Sequence, residues 1–285
     1  MELPNFLVNR YYLAFLQRDE AGMKHEIDRA RGNREAEDWM SHNQALVLAH
    51  SGQMQKARTM WHHAVVLAQQ NGDREKAAIY QAAAALCEAH FGNQAAAKER
   101  ARAALELGNG RDVKYAAAFA LALSGDVSTS RSLAEDLAKR FPEDTPVQFE
   151  YLPILRALFA LSEMAPLDAI EHLKTAEPYD LAMPGTAFFA KFGGLYSVYV
   201  RGQAYLEAGQ GREAAAQFQR VLHHRGIVLA DPIGAVAHIQ LGRALFSSGE
   251  NDRARSAYQE FLTLWSDADA DIPVLQQARA EYAKL

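Results

Sequence analysis

The 285-residue sequence predicts an all-α fold, an α-solenoid of about six to seven stacked helix-turn-helix repeats. Three observations carry that expectation. Pro and Gly number only 9 and 18, and they fall between Ala/Leu/Arg/Glu-rich segments, the pattern of helices punctuated by turns. Alternating β-branched residues, the mark of a strand, are almost absent. The chain also repeats itself. "YVRGQAYLEAGQGREAAAQFQRVL" (199–222) aligns on "HIQLGRALFSSGENDRARSAYQEFL" (238–262), so that Gly202, Gly209, Ala214 and Phe218 match Gly242, Gly249, Ala254 and Tyr258, each 40 residues later.

Each position of this skeleton has a physical reason. A small residue on the first helix (Gly202, Gly242) and an Ala on the second (Ala214, Ala254) let two antiparallel helices approach closely. Gly209 and Gly249 end the first helix with a positive φ. Phe218 and Tyr258 are expected to pack toward the neighbouring repeat. Upstream, second-helix anchors recur at Ala57, Ala97, Ser130 and Ala169. The expected repeats span 5–33, 38–70, 78–108, 111–143, 150–178, 195–226 and 235–266, with a C-terminal capping helix at 272–285, all in one solenoid over 1–285.

The small–large–Gly–Ala–aromatic spacing resembles the tetratricopeptide repeat (TPR), a helix-turn-helix unit with a period of about 34 residues. That resemblance implies a right-handed superhelix. A narrower likeness rests on "LAKRFPEDTPVQ", "VYVRGQAYL", "HHRGIVLADPIGA" and "DADADIPVLQQARAEYAKL". These are similar to the C-terminal TPR region of bacterial eukaryotic-like serine/threonine protein kinases. The kinase motifs themselves have no counterpart: there is no Gly-rich loop, no His-Arg-Asp and no Asp-Phe-Gly. "NGRDVK" (109–114) has Arg-Asp without the preceding His, so it is read as structural.

A formal net charge of −5 argues against nucleic-acid binding, which needs a basic face. Cys87 is the sole cysteine, so no intramolecular disulfide holds the fold, and its setting reads as a buried hydrophobe. No stretch reaches the roughly 20 apolar residues of a membrane span. "MELPNFLVNRYY" lacks the basic start and cleavage site of a signal peptide. The expected location is cytoplasmic, or extracytoplasmic if a membrane span precedes the array in a longer parent.

"HEIDR" (25–29) fails as a zinc helix because Arg29 stands at the second ligand position. "DADAD" (267–271) has Ile272 and Ala278 where a calcium loop needs Gly and Glu, so it reads as an acidic linker leading into Pro273. Adjacent His62 and His63 point about 100° apart on a helix and cannot easily share an ion. The aromatics Phe188, Phe189, Phe192, Tyr196 and Tyr199 are read as packing an enlarged repeat junction, with a ligand-facing surface as the alternative. In "LHHRGIVLADP" (222–232), His223 and His224 fall on the last turn of a helix, Gly226 stops it, and Asp231-Pro232 starts the next.

No catalytic residue, cofactor or metal site is assigned. The expected function is a non-catalytic interaction scaffold that binds a peptide or partner helix in a concave groove lined by first helices. A docking or sensor region of a larger signalling kinase is the leading context. Inward-pointing candidates by repeat position are Asn43, Lys114, Arg156, Tyr199, Arg201 and Gln240. The alternative is a receptor for a signal peptide or small molecule. An enzyme would require a closed pocket holding two ionisable groups with displaced pKa values. Zinc titration is expected to leave the thermal melt unchanged; a rise in melting temperature that disappears in His223→Ala/His224→Ala would establish a metal role for that pair.

Overall fold

The computed structural model describes residues 3–182 and 193–285, and every regular element among them is helical. Successive helices pair into antiparallel hairpins. The first four pairs are α1 (Pro4–Gln17) with α2 (Glu20–Ala30), α3 (Glu37–His50) with α4 (Met54–Gln70), α5 (Arg74–His90) with α6 (Gln94–Leu107), and α7 (Arg111–Leu123) with α8 (Val127–Arg140). A short π-helical stretch, Val147–Tyr151, leads into α9 (Leu152–Ser162), which pairs with α10 (Pro166–Leu173). Next come α11 (Tyr196–Glu207) with α12 (Gly211–His223) and the four-residue α13 (Arg225–Val228). The chain finishes with α14 (Pro232–Ser247) and α15 (Asn251–Leu264), followed by α16 (Pro273–Tyr282).

One turn recurs within the hairpins. After α11, Gly209 adopts φ +73°. Its N–H bonds the Leu206 carbonyl at 3.1 Å, and the next N–H, of Gln210, reaches Tyr205 O at 2.8 Å. That pair of bonds is the Schellman stop, which satisfies carbonyls left open at a helix end. Arg18 and Met164 occupy the corresponding place in the first and fifth hairpins with φ +58° and +57°, where a side chain meets the left-handed penalty.

The small positions set how closely helices meet. All six second-helix anchors, Ala57, Ala97, Ser130, Ala169, Ala214 and Ala254, are wholly buried. Ser130 also donates its hydroxyl to Ala118 O at 2.7 Å, so it replaces Ala without leaving a polar group unpaired. A Cβ on Gly202 would stand 2.8 Å from Phe218, and one on Gly242 would stand 2.6 Å from Tyr258. Those rings therefore lie over the glycine of their own hairpin. Beyond the expected packing toward the neighbouring repeat, each ring fills this nearer hole, and the Tyr258 hydroxyl also reaches Glu281 of α16 at 2.7 Å.

Around "LHHRGIVLADP" the structure agrees in part. His223 ends α12, and Asp231 caps α14 by accepting from Ile233 N at 3.1 Å, with Pro232 opening the helix. Gly226 does not stop a helix; it lies inside α13, and the break comes at His224 and at Leu229, whose φ is +54°.

The helices do not only stack on chain neighbours. Contacts run from α5 to α7, from α7 to α9, from α9 to α11 and from α11 to α14, and α14 returns to both α5 and α3. The segment after α15 fastens this return. Trp265 Nε1 donates to His50 O at 2.9 Å, and its ring meets Phe91 edge-on at 4.9 Å. Asp269 N donates to Gly52 O at 3.1 Å, while its carboxylate accepts from Gln55 N at 2.7 Å and so caps α4 across the fold. Val274 N bonds Phe91 O at 3.1 Å.

Gly52 thus carries two constraints. Its φ is +76°, and an added Cβ would stand 2.5 Å from Ala268. Gly209 carries the first constraint alone, with open space around it. Gly209→Ala is expected to cost about 1 kcal/mol and Gly52→Ala about 3 kcal/mol or more in urea unfolding. Equal losses would show that the C-terminal segment does not press on this turn.

Candidate functional site

The C-terminal ends of α5 and α7 approach the middle of α11 and α14, and α16 crosses beside them. They leave a cleft of about 220 Å³. From α5 it takes Ala89 and His90, from α6 Gln94, and from α7 Leu123. α11 gives Tyr199 and Gln203; α14 gives Val236, Ile239, Gln240 and Arg243; α16 gives Val274 and Gln277. The small residues of the first helices let these backbones converge, and the segment fastened by Trp265 and Asp269 brings α16 to the cleft's edge.

Two lining groups have unmade hydrogen bonds. His90 Nε2 and Gln203 Oε1 are buried with no partner among the described residues. The His90 ring meets Tyr199 edge-on at 5.5 Å and Phe119 at 5.6 Å. Burial holds its pKa down at about 3, so the ring is neutral at physiological pH. Burial likewise pushes Tyr199 up to about 12, with Gln240 hydrogen-bonded to its hydroxyl. Both groups are displaced toward their uncharged forms and away from neutrality, which suits hydrogen bonding better than proton transfer. Arg243 is answered by Glu281 through two bonds, 2.9 Å from Nε and 2.8 Å from Nη2.

The six sequence candidates divide. Tyr199 and Gln240 line the cleft together. Asn43 is fully buried and donates to Trp39 O at 2.7 Å within its own helix. Arg201 is sequestered: its guanidinium grips Asp180 at 2.9 and 3.0 Å, and Arg220 reaches the same carboxylate at 2.7 Å. Lys114 pairs with Asp136. Arg156 is exposed on α9 and does not line the cleft. Repeat position alone did not point to His90, Gln94, Gln203, Arg243 or Gln277. Gln203 follows the repeat's glycine directly, and that was the one local signal for it.

The other motifs have structural partners. Arg111 and Asp112 of "NGRDVK" pair at 2.8 Å, and the Tyr151 hydroxyl donates to Asp112 at 2.8 Å. Cys87 is buried, and burial raises its thiol well above the ordinary range. Tyr196 and Tyr199 are buried and pack on His90, as expected of an enlarged junction, whereas Phe188, Phe189 and Phe192 lie outside the described residues. Among the described residues no three His, Cys, Asp or Glu side chains gather as metal ligands, and no helix is long and apolar enough to cross a membrane. Compared with known proteins, the chain matches no family model and no curated protein.

The depressed histidines fix a pH dependence. His90 has an ordinary pKa of 6.5 and a folded value of about 3, and His50 behaves alike at about 4. Their neutral forms contribute stability that is present above pH 6.5 and lost as pH falls toward those values. Buried Asp231, raised from 3.8 to about 7, has the opposite sign: its contribution is present below 3.8 and lost as pH rises through 7. Comparing urea unfolding at pH 7 and pH 5, His90→Asn is expected to reduce the acid-induced loss by on the order of 1–2 kcal/mol. Identical losses in the two proteins would mean that His90 titrates normally.

Proposed function

We propose that this chain is a non-catalytic interaction module, a TPR-like right-handed superhelical array whose ligand enters the cleft between α5, α11, α14 and α16. The observation that carries the reading is the pair of unmade hydrogen bonds, His90 Nε2 and Gln203 Oε1, in a cavity built by five separate hairpins or caps. Other buried atoms, the Tyr12 and Tyr115 hydroxyls among them, also lack a partner among the described residues; what sets this pair apart is that both belong to residues lining one cavity, where a ligand would complete them. An α-helix is about 10–12 Å across with its side chains and is too broad for this space. An extended peptide segment of one or two residues fits better.

A docking or sensor role beside a signalling kinase is supported by the sequence resemblance alone. A receptor for a small molecule is the second reading, and the cleft's volume limits the size of that ligand. At about 220 Å³ it lies below the roughly 300–1,000 Å³ of sites that hold drug-sized ligands, so only a small one would be enclosed. A peptide array probed with the wild type, Gln240→Leu and Arg156→Ala tests the leading reading. Signals retained in Arg156→Ala and lost in Gln240→Leu are expected. If no peptide binds the wild type more strongly than Gln240→Leu, the cleft is not a peptide site, and a thermal-shift screen of metabolites then tests the second reading.

A further inference from the structure

We infer that the cleft selects the uncharged side-chain carboxamide of Asn or Gln and discriminates against ionised groups. The inference rests on the cleft being the binding site and specifies what it takes. Four of its polar residues are glutamines from four different helices: Gln94, Gln203, Gln240 and Gln277. Each carries two N–H donors and a carbonyl acceptor, the complement of another amide. Gln203 Oε1 is buried and unpartnered, so it can accept an N–H. The His90 ring, uncharged in the folded state, adds one donor and one acceptor.

Charge argues the same way. Among the described residues that line the cleft, the one cationic side chain, Arg243, is neutralised by Glu281, which also accepts from the Tyr258 hydroxyl at 2.7 Å. An entering carboxylate would compete with Glu281, and an entering ammonium would face Arg243. Neither would find an unpaired counter-charge to offset its lost hydration. A carboxamide needs none, and the aliphatic floor of Val236, Ile239 and Val274 suits its short stem.

The test uses the full ¹⁵N-labelled chain and three near-isosteric probes: the N-acetyl N-methylamides of glutamine, glutamate and lysine. Side-chain amide signals report cleft occupancy. The glutamine probe is expected to move the Gln203, Gln240 and Gln277 signals and to bind about tenfold or more tightly than either charged probe. Gln203→Leu should weaken it by about tenfold with no fall in the thermal melt, and Gln203→Glu, of nearly the same size, should weaken it also. A charged probe that binds equally well at these signals overturns the inference while leaving the cleft as a site. If no probe moves the signals although array peptides bind in a Gln240-dependent way, the inference again falls alone. Silence in both assays removes the cleft reading with it.

Discussion

The Trp265–Asp269–Val274 segment, fastened to the turns after α3 and α5, is the contact on which the rest of the structure depends. An array of hairpins that touch only their neighbours is close to one-dimensional, and its first helices keep one face open. Here α14 lies against α3 and α5, and the segment that follows it holds that return in place through Trp265 Nε1, Asp269 and Val274 N. The effect is clearest on α5. Its run Ala82–Ala85 is buried along with Ile79 and Leu86, so almost no face of this helix meets solvent. A run of alanines offers little area per residue, and it stabilises the fold only if neighbours approach closely from several sides.

Closure explains why charged groups are found so deep. Glu88 is fully buried, yet it accepts from Arg58 at 2.8 Å through both oxygens and from Asn93 at 2.9 Å, tying α4 and α5 to the start of α6. Asp38 takes Lys76 at 2.7 Å, and Asp180 takes Arg201 and Arg220. Such pairs add little net stability, because desolvation offsets most of their attraction. Breaking one leaves a buried charge and costs about 3–5 kcal/mol, so misaligned hairpins are penalised strongly. Lys76 and Arg201 of first helices, with Arg58 and Arg220 of second helices, are therefore spent on register between hairpins. That is why Arg201, inward-pointing by repeat position, holds Asp180 instead of facing a ligand.

The parts of the fold that depend on local spacing were legible in the sequence. Glycines near 40-residue intervals marked the turns, Asp231-Pro232 marked a helix start, and Pro273 marked the start of α16. What could not be read were contacts between residues far apart in the chain. "DADAD" was recognisable as a linker, but nothing near Asp269 says that it caps α4 at Gln55, 214 residues away. The candidate site shows the same division. Tyr199 and Gln240 sit at first-helix positions that face inward and do line the cleft. Asn43 shares that logic but is sealed within α3. His90 and Gln94, on the α5–α6 hairpin, meet Gln277 of α16 only once the chain closes, so periodicity gives them no common signal.

The cleft is what closure leaves unfilled, and its lining is not what leftover space would be expected to carry. A gap of this kind between Ala-rich helices would be filled most cheaply by Leu or Met, with no polar atom to satisfy. Here the space is edged by glutamines, a tyrosine and a neutral histidine, two of whose polar atoms are buried without partners. Each such atom costs about 1–3 kcal/mol relative to a paired one. Departures from local stability rules of that size tend to mark functional positions. A ligand that supplies the missing donors and acceptors would recover that cost on binding, and the recovery would be largest for a group that brings no charge of its own.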